Sequence, residues 1–564
     1  MTSNYFSEIE SYLHFIEKII EEDIKNGFPV KKIRFRFPPE PNGFLHIGHV
    51  KAICLNFELS KKYKSPINLR FDDTNPIGED RNFIDSIKKD IIFLGFHWDN
   101  ESYASDYFHK LYEWATELIK KNKAYVDDQP KNIIQFQRKN PFEIGIDSHY
   151  RNRSIEENLL LFEKMKNGFF KEGSCVLRAK INMSSSNMNM RDPIMYRILR
   201  KKHHRTGYKW CIYPTYDWTH GLCDYIEQIS HSLCSLEFEN RRPLYNWYLD
   251  QIYTEKKDKI RPKQIEFSRL NLSHTITSKR KIQYLIEKKI IQSWDDPRIL
   301  TISGLRRKGY TSVALKNFIH KIGITKRNNI IDISFLEFWI REHLNKIASR
   351  VMVVLHPIKL IIDNYLNTTE WIEAENNPED SSFGNRKVPF SKFIYIEKDD
   401  FLEKEEKNFF RLCIGKEVRL KNAYIIKANS IIKNYKGKIK EIHCTYDPKS
   451  QSGKKSKIEK KGRVKSTLHW VSIKHSFPIK VNLYNPLFLK RNPDIDFDKH
   501  INPKSEDKIM GYAEPYLKKA KKGDHFQFQR VGYFYVDSDI TNDKNQIIFN
   551  QTVSIKNKWK RKKL

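Results

Sequence analysis

Residues 33–57 restrict what this chain can fold into more than any other stretch. Ile33 to Phe37 alternates apolar and basic side chains, the pattern of a short strand. Pro38, Pro39, Pro41 and Gly43 then exclude regular structure and make a tight loop. From Leu45 on, Leu45, Val50, Ile53, Cys54 and Phe57 recur near helical spacing, so a helix begins there. A strand, a Pro/Gly loop and a helix N-terminus form an anion site, because unpaired N–H groups and the positive end of the helix dipole face the ligand. His46 and His49, three apart, share a face of the first turn, and Gly48 between them lets a ligand approach the backbone. Alone, such a histidine pair is more often merely solvated, and as a metal pair it lacks a third ligand at useful spacing.

The second strand is expected at Ile67–Asp72, parallel to the first through a right-handed crossover. Asp72 and Asp73 then stand at its carboxyl end, where open α/β sheets bind ligands. Helices are expected over 8–27, stopped at Gly27, and over 85–94, 107–121 and 155–166. Residues ~110 to ~212 lose the βαβ rhythm and read as an insertion, with a strand-like segment at Cys175–Ile181. The rhythm resumes near Trp210, with Tyr216–His220 ending a strand and His231–Phe238 following a short helix. A helical region runs to about Lys346, and after Arg350 short alternating runs separated by turns read as all-β. Residues 448–466 are lysine-rich and broken by Gly and Ser, the texture of a mobile or disordered loop, and KNKWKRKKL makes a basic tail.

Composition narrows the class. The 564 residues suit several domains and carry a formal net charge of +33, which favours a polyanionic partner, nucleic acid first. The chain is also rich in Lys, Ile, Asn and Tyr, so part of that excess is compositional drift. Seven dispersed cysteines without a CxxC pair read as reduced thiols. No apolar run reaches the ~18 residues of a membrane helix, and the amphipathic, acidic start lacks the basic region of a signal peptide. A cytoplasmic protein is the expectation, with no membrane partner.

The block PPEPNGFLHIGH (38–49) resembles the first signature of class I aminoacyl-tRNA synthetases in its glutaminyl/glutamyl form. SHTITSKRK (273–281) is similar to the second signature in spacing, with Thr277-Ser278-Lys279 where the family usually has Met-Ser-Lys. WDDPR (294–298) and TISGLRRKGYT (301–311) resemble the segment that packs inside the L of tRNA. RLCIGKEVRLKNAYIIKA (411–428) and FQFQRVGYF (526–534) are similar to the β-barrel motifs of the glutaminyl branch. The resemblance runs from about Glu22 to Trp559 in one order.

This resemblance implies a multidomain α/β plus all-β architecture. An N-terminal helical segment covers 1–30, and a Rossmann-type catalytic domain covers 31–110 and 211–268. An acceptor-end-binding insertion fills 111–210, and the signature loop with a helical subdomain covers 269–348. Two anticodon-binding β-barrels follow over 349–564, the distal one at roughly 363–470. It also implies ATP-dependent ligation of glutamine to tRNA through an adenylate, with activation waiting for tRNA. His46, His49 and Lys279 are the expected catalytic residues. ATP falls to Glu40, Pro41, Asn42, His46, Ile47, Gly48, His49, Val50, Lys51, Ala52, Ser235, Arg269, Leu270, Thr277, Ser278 and Lys279. Glutamine falls to Arg36, Asp72, Tyr216 and Gln264, with Asp72 on the α-ammonium, beside Cys234 at a pocket-wall position. The tRNA anticodon falls to Lys326, Arg350, Arg411, Arg419, Lys421, Gln527 and Arg530. Mg²⁺ accompanies ATP, no protein-bound structural metal is expected, and a monomer is the family's habit. The alternatives are a glutamyl enzyme with the same barrels and a non-catalytic tRNA-binding relative; intact His46, His49 and Lys279 argue against the latter. Thr277 is expected to be tolerated, because methionine there contributes packing while lysine carries charge.

Overall fold

The computed structural model describes residues 13–253, 259–406, 409–452, 464, 466–537 and 547–555. Most of the lysine-rich loop, the basic tail and the first twelve residues lie outside the described residues. The rest falls into two compact units, Met1–Asn271 with Ile319–Ile331, and Leu272–Phe318 with Asp332–Leu564.

The first unit begins with α1 (Phe15–Lys25), capped reciprocally by His14 and Glu17 and ended before Gly27, whose φ of +95° only glycine adopts readily. β1 (Phe35–Phe37), α2 (Ile47–Tyr63) and β2 (Ile67–Phe71) form the expected parallel pair, Phe35 opposite Ile67 and Phe37 opposite Leu69. After α3 (Arg81–Phe93), β3 (Asn100–Tyr103) adds on the far side of β2, again parallel. Strands His231–Ser235 and Lys263–Phe267 are parallel to each other. Ser230 N donates to Arg34 O at 3.1 Å, which lays this pair beside β1. Strand order therefore reverses at β1, with β2 and β3 on one side and the later pair on the other. That reversal places a binding crevice at the carboxyl end of β1, where the Pro/Gly loop enters α2. Every residue of β1 and β2 is buried, as strands covered on both faces must be.

Between the halves, Ala124–Asp127, Val176–Ala179, Ile194–Ile198 and Ile212–Pro214 pair antiparallel in chain order. Tyr216–His220 does not end a strand. Pro214 closes the strand and Thr215 is extended, so Tyr216–Ile226 is a helix. Its alternating aromatics are a helical face: Trp218, fully buried, meets Tyr248 edge-on at 5.0 Å.

In the second unit the helices Ile302–Arg307 and Ile333–Ile347 precede the all-β region. Gly304 leaves no room for a Cβ, which would stand 2.6 Å from Asp296 O. Two seven-stranded sheets follow. One takes strands from Pro357–Ile362 to Val471–Ser472, and the other joins Ser349–Val351 and Val353–Val354 to strands between Phe477 and Ser554. Each encloses its own apolar core, around Trp470 and Phe390 in the first and Phe528 and Phe534 in the second. All seven cysteines are free thiols, six of them buried.

Candidate active site

The first signature builds a donor site from its own side chains. His46 stands one residue before α2 as its N-cap, and its Nδ1 accepts from Gly48 N at 3.1 Å. His49 Nδ1 in turn accepts from His46 N at 3.0 Å. Each cap satisfies an N–H that a helix start leaves orphaned. Each also fixes a tautomer: an Nδ1 that accepts leaves the proton of a neutral ring on Nε2. The rings lie 4.0 Å apart, so two N–H edges stand together at the positive end of a helix. Gly48 serves this cap and does not leave an open approach to the backbone. A Cβ there would stand 2.8 Å from His46 Cε1, so glycine is what lets the ring fold back.

The other expected nucleotide residues divide into those that face outward and those that hold the frame. Glu40 is exposed and accepts from Asn42 Nδ2 at 2.5 Å. Pro41 O takes Asp80 N at 3.1 Å, tying the loop to the start of α3. Ile47 and Val50 are buried in the core, and Ala52 O accepts from Asn56 within α2. Lys51 belongs with the residues that hold the frame. Its ammonium is buried on Ser268 O at 2.8 Å and Ser268 Oγ at 3.0 Å, and burial lowers it to about 8, so it braces α2 against the end of the last strand. Ser235 Oγ donates to Glu237 Oε1 at 2.8 Å and Arg269 pairs with Glu237 Oε2 at 3.0 Å. Glu237, which the sequence did not single out, therefore links these two. Leu270 is buried, and its carbonyl lies 3.8 Å from where a Gly48 Cβ would stand.

The amino-acid residues rest on a buried charge network. Asp72 is 1% exposed. Its Oδ1 accepts from Arg70 Nε at 3.2 Å while Oδ2 has no hydrogen-bond partner. Burial raises its carboxyl to about 7 against the pull of Arg70 and Arg36. A buried carboxylate oxygen without a partner is a place for a cation. Arg36 is engaged inward. It is fully buried, and its donors go to Asp224 Oδ1 (3.1 Å), Leu233 O (2.8 Å), Ser232 Oγ (2.6 Å) and Cys234 Sγ (3.5 Å), so it shapes the pocket wall. Asp224 joins Arg36 to Arg70 at 2.9 Å. Burial opposes its charge, yet the two guanidiniums hold it well below the usual carboxylate range.

Tyr216 stacks on His220 at 4.9 Å and its hydroxyl lies 3.1 Å from His220 Nδ1. Burial drives the His220 imidazole down to about 3, so the ring is neutral with one proton. Its Nε2 lies 3.5 Å from Cys234 Sγ, which also lies 3.7 Å from Ser232 O. With the ring proton on Nε2, Nδ1 accepts from the Tyr216 hydroxyl. Gln264 gives its Nε2 hydrogens to Phe238 O at 3.2 Å and Glu266 Oε1 at 2.9 Å, and so holds Phe238 with its ring 5.3 Å from that of Tyr216.

Arg70, Asp224, His220, Glu237 and Glu79 were not legible as site residues. Burial among Asp73, Glu40 and Asp72 raises Glu79 to about 9. Gln228, without a rationale in sequence, sits at φ +58° after the helix and accepts from Ile260 N at 2.9 Å. Asn240 O accepts from Asn187 and Asn189, tying its loop to the insertion.

In the second unit, Lys279 opens the helix Lys279–Glu287 with Ser278 as its N-cap. Ile276, not Thr277, fills the local core, packed with Ile282, Leu285, Leu487 and Phe488. His274 N donates to Arg491 O at 2.7 Å, holding the loop from its other end. Arg350, Lys421, Gln527 and Arg530 line one recess of about 500 Å³. Gln527 Nε2 donates to Tyr533 Oη at 2.7 Å, and Tyr533 donates to Asn345 Oδ1 at 3.0 Å. Arg411 and Arg530 share Asp400, and Arg419 binds Ser450 O at 2.8 Å. Lys326 belongs to the first unit and lies over the ring of Phe15 at 5.3 Å.

A parallel sheet with a strand reversal, a histidine-capped helix at that reversal and a buried carboxyl beside it make up a Rossmann-type catalytic domain. The profile of "tRNA synthetases class I (E and Q), catalytic domain" matches residues 32–346. Two profiles of "tRNA synthetases class I (E and Q), anti-codon binding domain" match residues 348–447 and 467–537. A glutamine–tRNA ligase of Clostridium kluyveri is 48% identical over 97% of this chain and 98% of its own length. One of Clostridium perfringens is 48% identical over 99% and 100%, and one of Escherichia coli O157:H7 is 49% identical over 97% and 98%. The chain belongs to the class I tRNA synthetases of the glutamate and glutamine family. Among the described residues, no helix is long and apolar enough to cross a membrane.

Proposed function

We propose that this enzyme ligates glutamine to tRNA in two steps, with the roles below assigned to its own residues. The amino acid's carboxylate attacks the α-phosphate of ATP, and pyrophosphate leaves. The 2′-hydroxyl of the terminal adenosine then attacks the adenylate carbonyl, and AMP leaves. His46 and His49 present Nε2–H groups to phosphate oxygens as negative charge shifts toward the leaving group. Lys279 supplies a mobile cation to the same charge; its part rests on the signature match. Mg²⁺ enters with the triphosphate, since the first signature offers N–H donors that suit oxygen anions. Asp72 holds the α-ammonium. No protein nucleophile is needed, and placement of the reactants supplies much of the acceleration. The basic recess around Arg350, Lys421, Gln527 and Arg530 takes an anticodon base, where planar amide and guanidinium groups offer edges and stacking faces. The protein acts as a cytoplasmic monomer.

One observation carries the choice of glutamine. With the His220 proton on Nε2, toward Cys234, the Tyr216 hydroxyl donates inward to His220 Nδ1. The Tyr216 oxygen that remains can only accept. A side-chain amide can donate to it, and a carboxylate cannot. The test is charging of purified tRNA with labelled glutamine and labelled glutamate in parallel. Charging with glutamine alone supports the reading, and preferred charging with glutamate overturns the pocket assignment.

A further inference from the structure

The insertion ends in a tight turn, His203–Gly207, closed by His203 N to Gly207 O at 2.9 Å and Gly207 N to His203 O at 3.0 Å. This turn does not stand free. His203, 1% exposed, places Nε2 2.9 Å from the carbonyl oxygen of Asp73. His204 places Nε2 3.1 Å from Asp73 Oδ2. Arg205 lies over the Tyr103 ring at 3.9 Å and reaches Ser105 Oγ at 3.0 Å. Ser105 completes the grip, giving its N–H to Asp73 Oδ1 at 2.8 Å and its hydroxyl to Asp73 Oδ2 at 2.7 Å.

Asp73, His203 and His204 bring three potential ligand atoms within 4.8 Å of one another, so a metal centre must be weighed. The proton positions decide against it. His203 Nδ1 receives two backbone N–H groups, from Arg205 and Thr206, each at 3.2 Å. The ring proton is therefore on Nε2, the nitrogen that faces Asp73, and that nitrogen is a donor rather than a ligand. The cluster is a closed hydrogen-bond clasp.

What it clasps is the residue next to Asp72. Both aspartates follow the last paired residue of β2, so no sheet ladder fixes them. Asp72 has its backbone N–H on Pro39 O at 3.1 Å on one side. On the other side its placement depends on Asp73, whose carbonyl and carboxylate are both held by the insertion's turn and Ser105. We propose that His203 and His204 are positioning residues for the amino-acid pocket: by locking Asp73 at both ends they aim the Asp72 carboxylate at the α-ammonium of glutamine. This deepens, and rests on, the assignment of Asp72 above. It also makes the insertion part of the amino-acid pocket.

The test is tRNA-dependent ATP–pyrophosphate exchange by the full-length enzyme, with His204→Ala, His204→Gln, His203→Gln and Asp72→Asn made singly, and His204→Ala combined with Asp72→Asn. His204→Ala is expected to raise the KM for glutamine by roughly tenfold, the effect of one lost hydrogen bond to a charged group. The KM values for ATP and tRNA and the melting temperature stay near wild type. Glutamine at 203 or 204 keeps an N–H donor and restores most of the affinity. In the Asp72→Asn background the His204→Ala change adds little, because both act through one contact. A purely structural role predicts instead that all KM values and the melting temperature shift together, or that the two changes add in full; either result overturns the proposal. A wild-type protein with no glutamine-dependent exchange would sink the functional reading itself, and the proposal with it.

Discussion

Replacing Asp72 by asparagine isolates the contact proposed for the α-ammonium of glutamine. The amide keeps the shape and an oxygen for Arg70 Nε, now 3.2 Å from Oδ1, but removes the charge and sets an N–H₂ where Oδ2 stands without a partner. A hydrogen bond between two charged groups in a buried site is worth about 1.5–3 kcal/mol, so the KM for glutamine should rise by roughly 10- to 100-fold. Titration supplies a second signature. Burial raises this carboxyl to about 7, so the empty pocket protonates as pH falls through neutrality and loses the anion that glutamine needs. The wild-type kcat/KM for glutamine should therefore climb by about tenfold per pH unit below 7 and level off above it, following a single ionisation. In Asp72→Asn that limb disappears. Folding runs the other way. The unfolded chain loses this proton near its ordinary value of about 4 while the folded chain keeps it to about 7, so the group lowers stability as pH rises across that window. An uncharged amide removes that penalty, and the melting temperature should not drop. The assay is tRNA-dependent ATP–pyrophosphate exchange with glutamine and ATP varied separately from pH 5.5 to about 8.5, alongside thermal melting. An unchanged glutamine KM with the acid limb intact, or a defect confined to ATP, would refute the assignment.

Other substitutions follow from the same geometry. Gly48→Ala puts a methyl 2.8 Å from His46 Cε1, so the ring leaves its cap and the exchange rate should fall about 10²- to 10³-fold, the scale of one lost transition-state donor; full activity would show that the cap is dispensable. Asp224→Ala strands two fully buried guanidiniums and should destabilise the protein by about 3–5 kcal/mol, read by urea denaturation. Tyr216→Phe removes the acceptor oxygen and should cut the preference for glutamine over glutamate by roughly tenfold or more in parallel charging assays, with the ATP KM unmoved. Tyr533→Phe takes the partner from Gln527 Nε2 and should raise the KM for tRNA without changing that for glutamine.

Much of this protein can be read from its order of residues, and the reason is local. Prolines and glycine at 38–43 forbid regular structure wherever they occur, so strand, loop and helix were placed before any contact was known. The helix Ile155–Lys166 and the β texture after Arg350 were likewise periodicities of neighbours. His46 and His49 needed no tertiary information, since their caps reach only three residues along the chain. Three kinds of fact came only with the folded chain. Tyr216–His220 looked like strand alternation, and packing of Trp218 against Tyr248 made it a helix. The partners of Arg36 and Lys51, Asp224 and Ser268, lie nearly 200 or more residues away in sequence, where no local pattern announced them. The contact of His220 with Cys234 and the clasp of His203 and His204 on Asp73 join residues that no local spacing connects. Sequence determined which groups the enzyme owns and the local geometry of the histidine-capped helix start. Only the tertiary structure decided which charges neutralise one another and which are left for substrate, because burial and distance set those energies, and neither is a property of neighbouring residues.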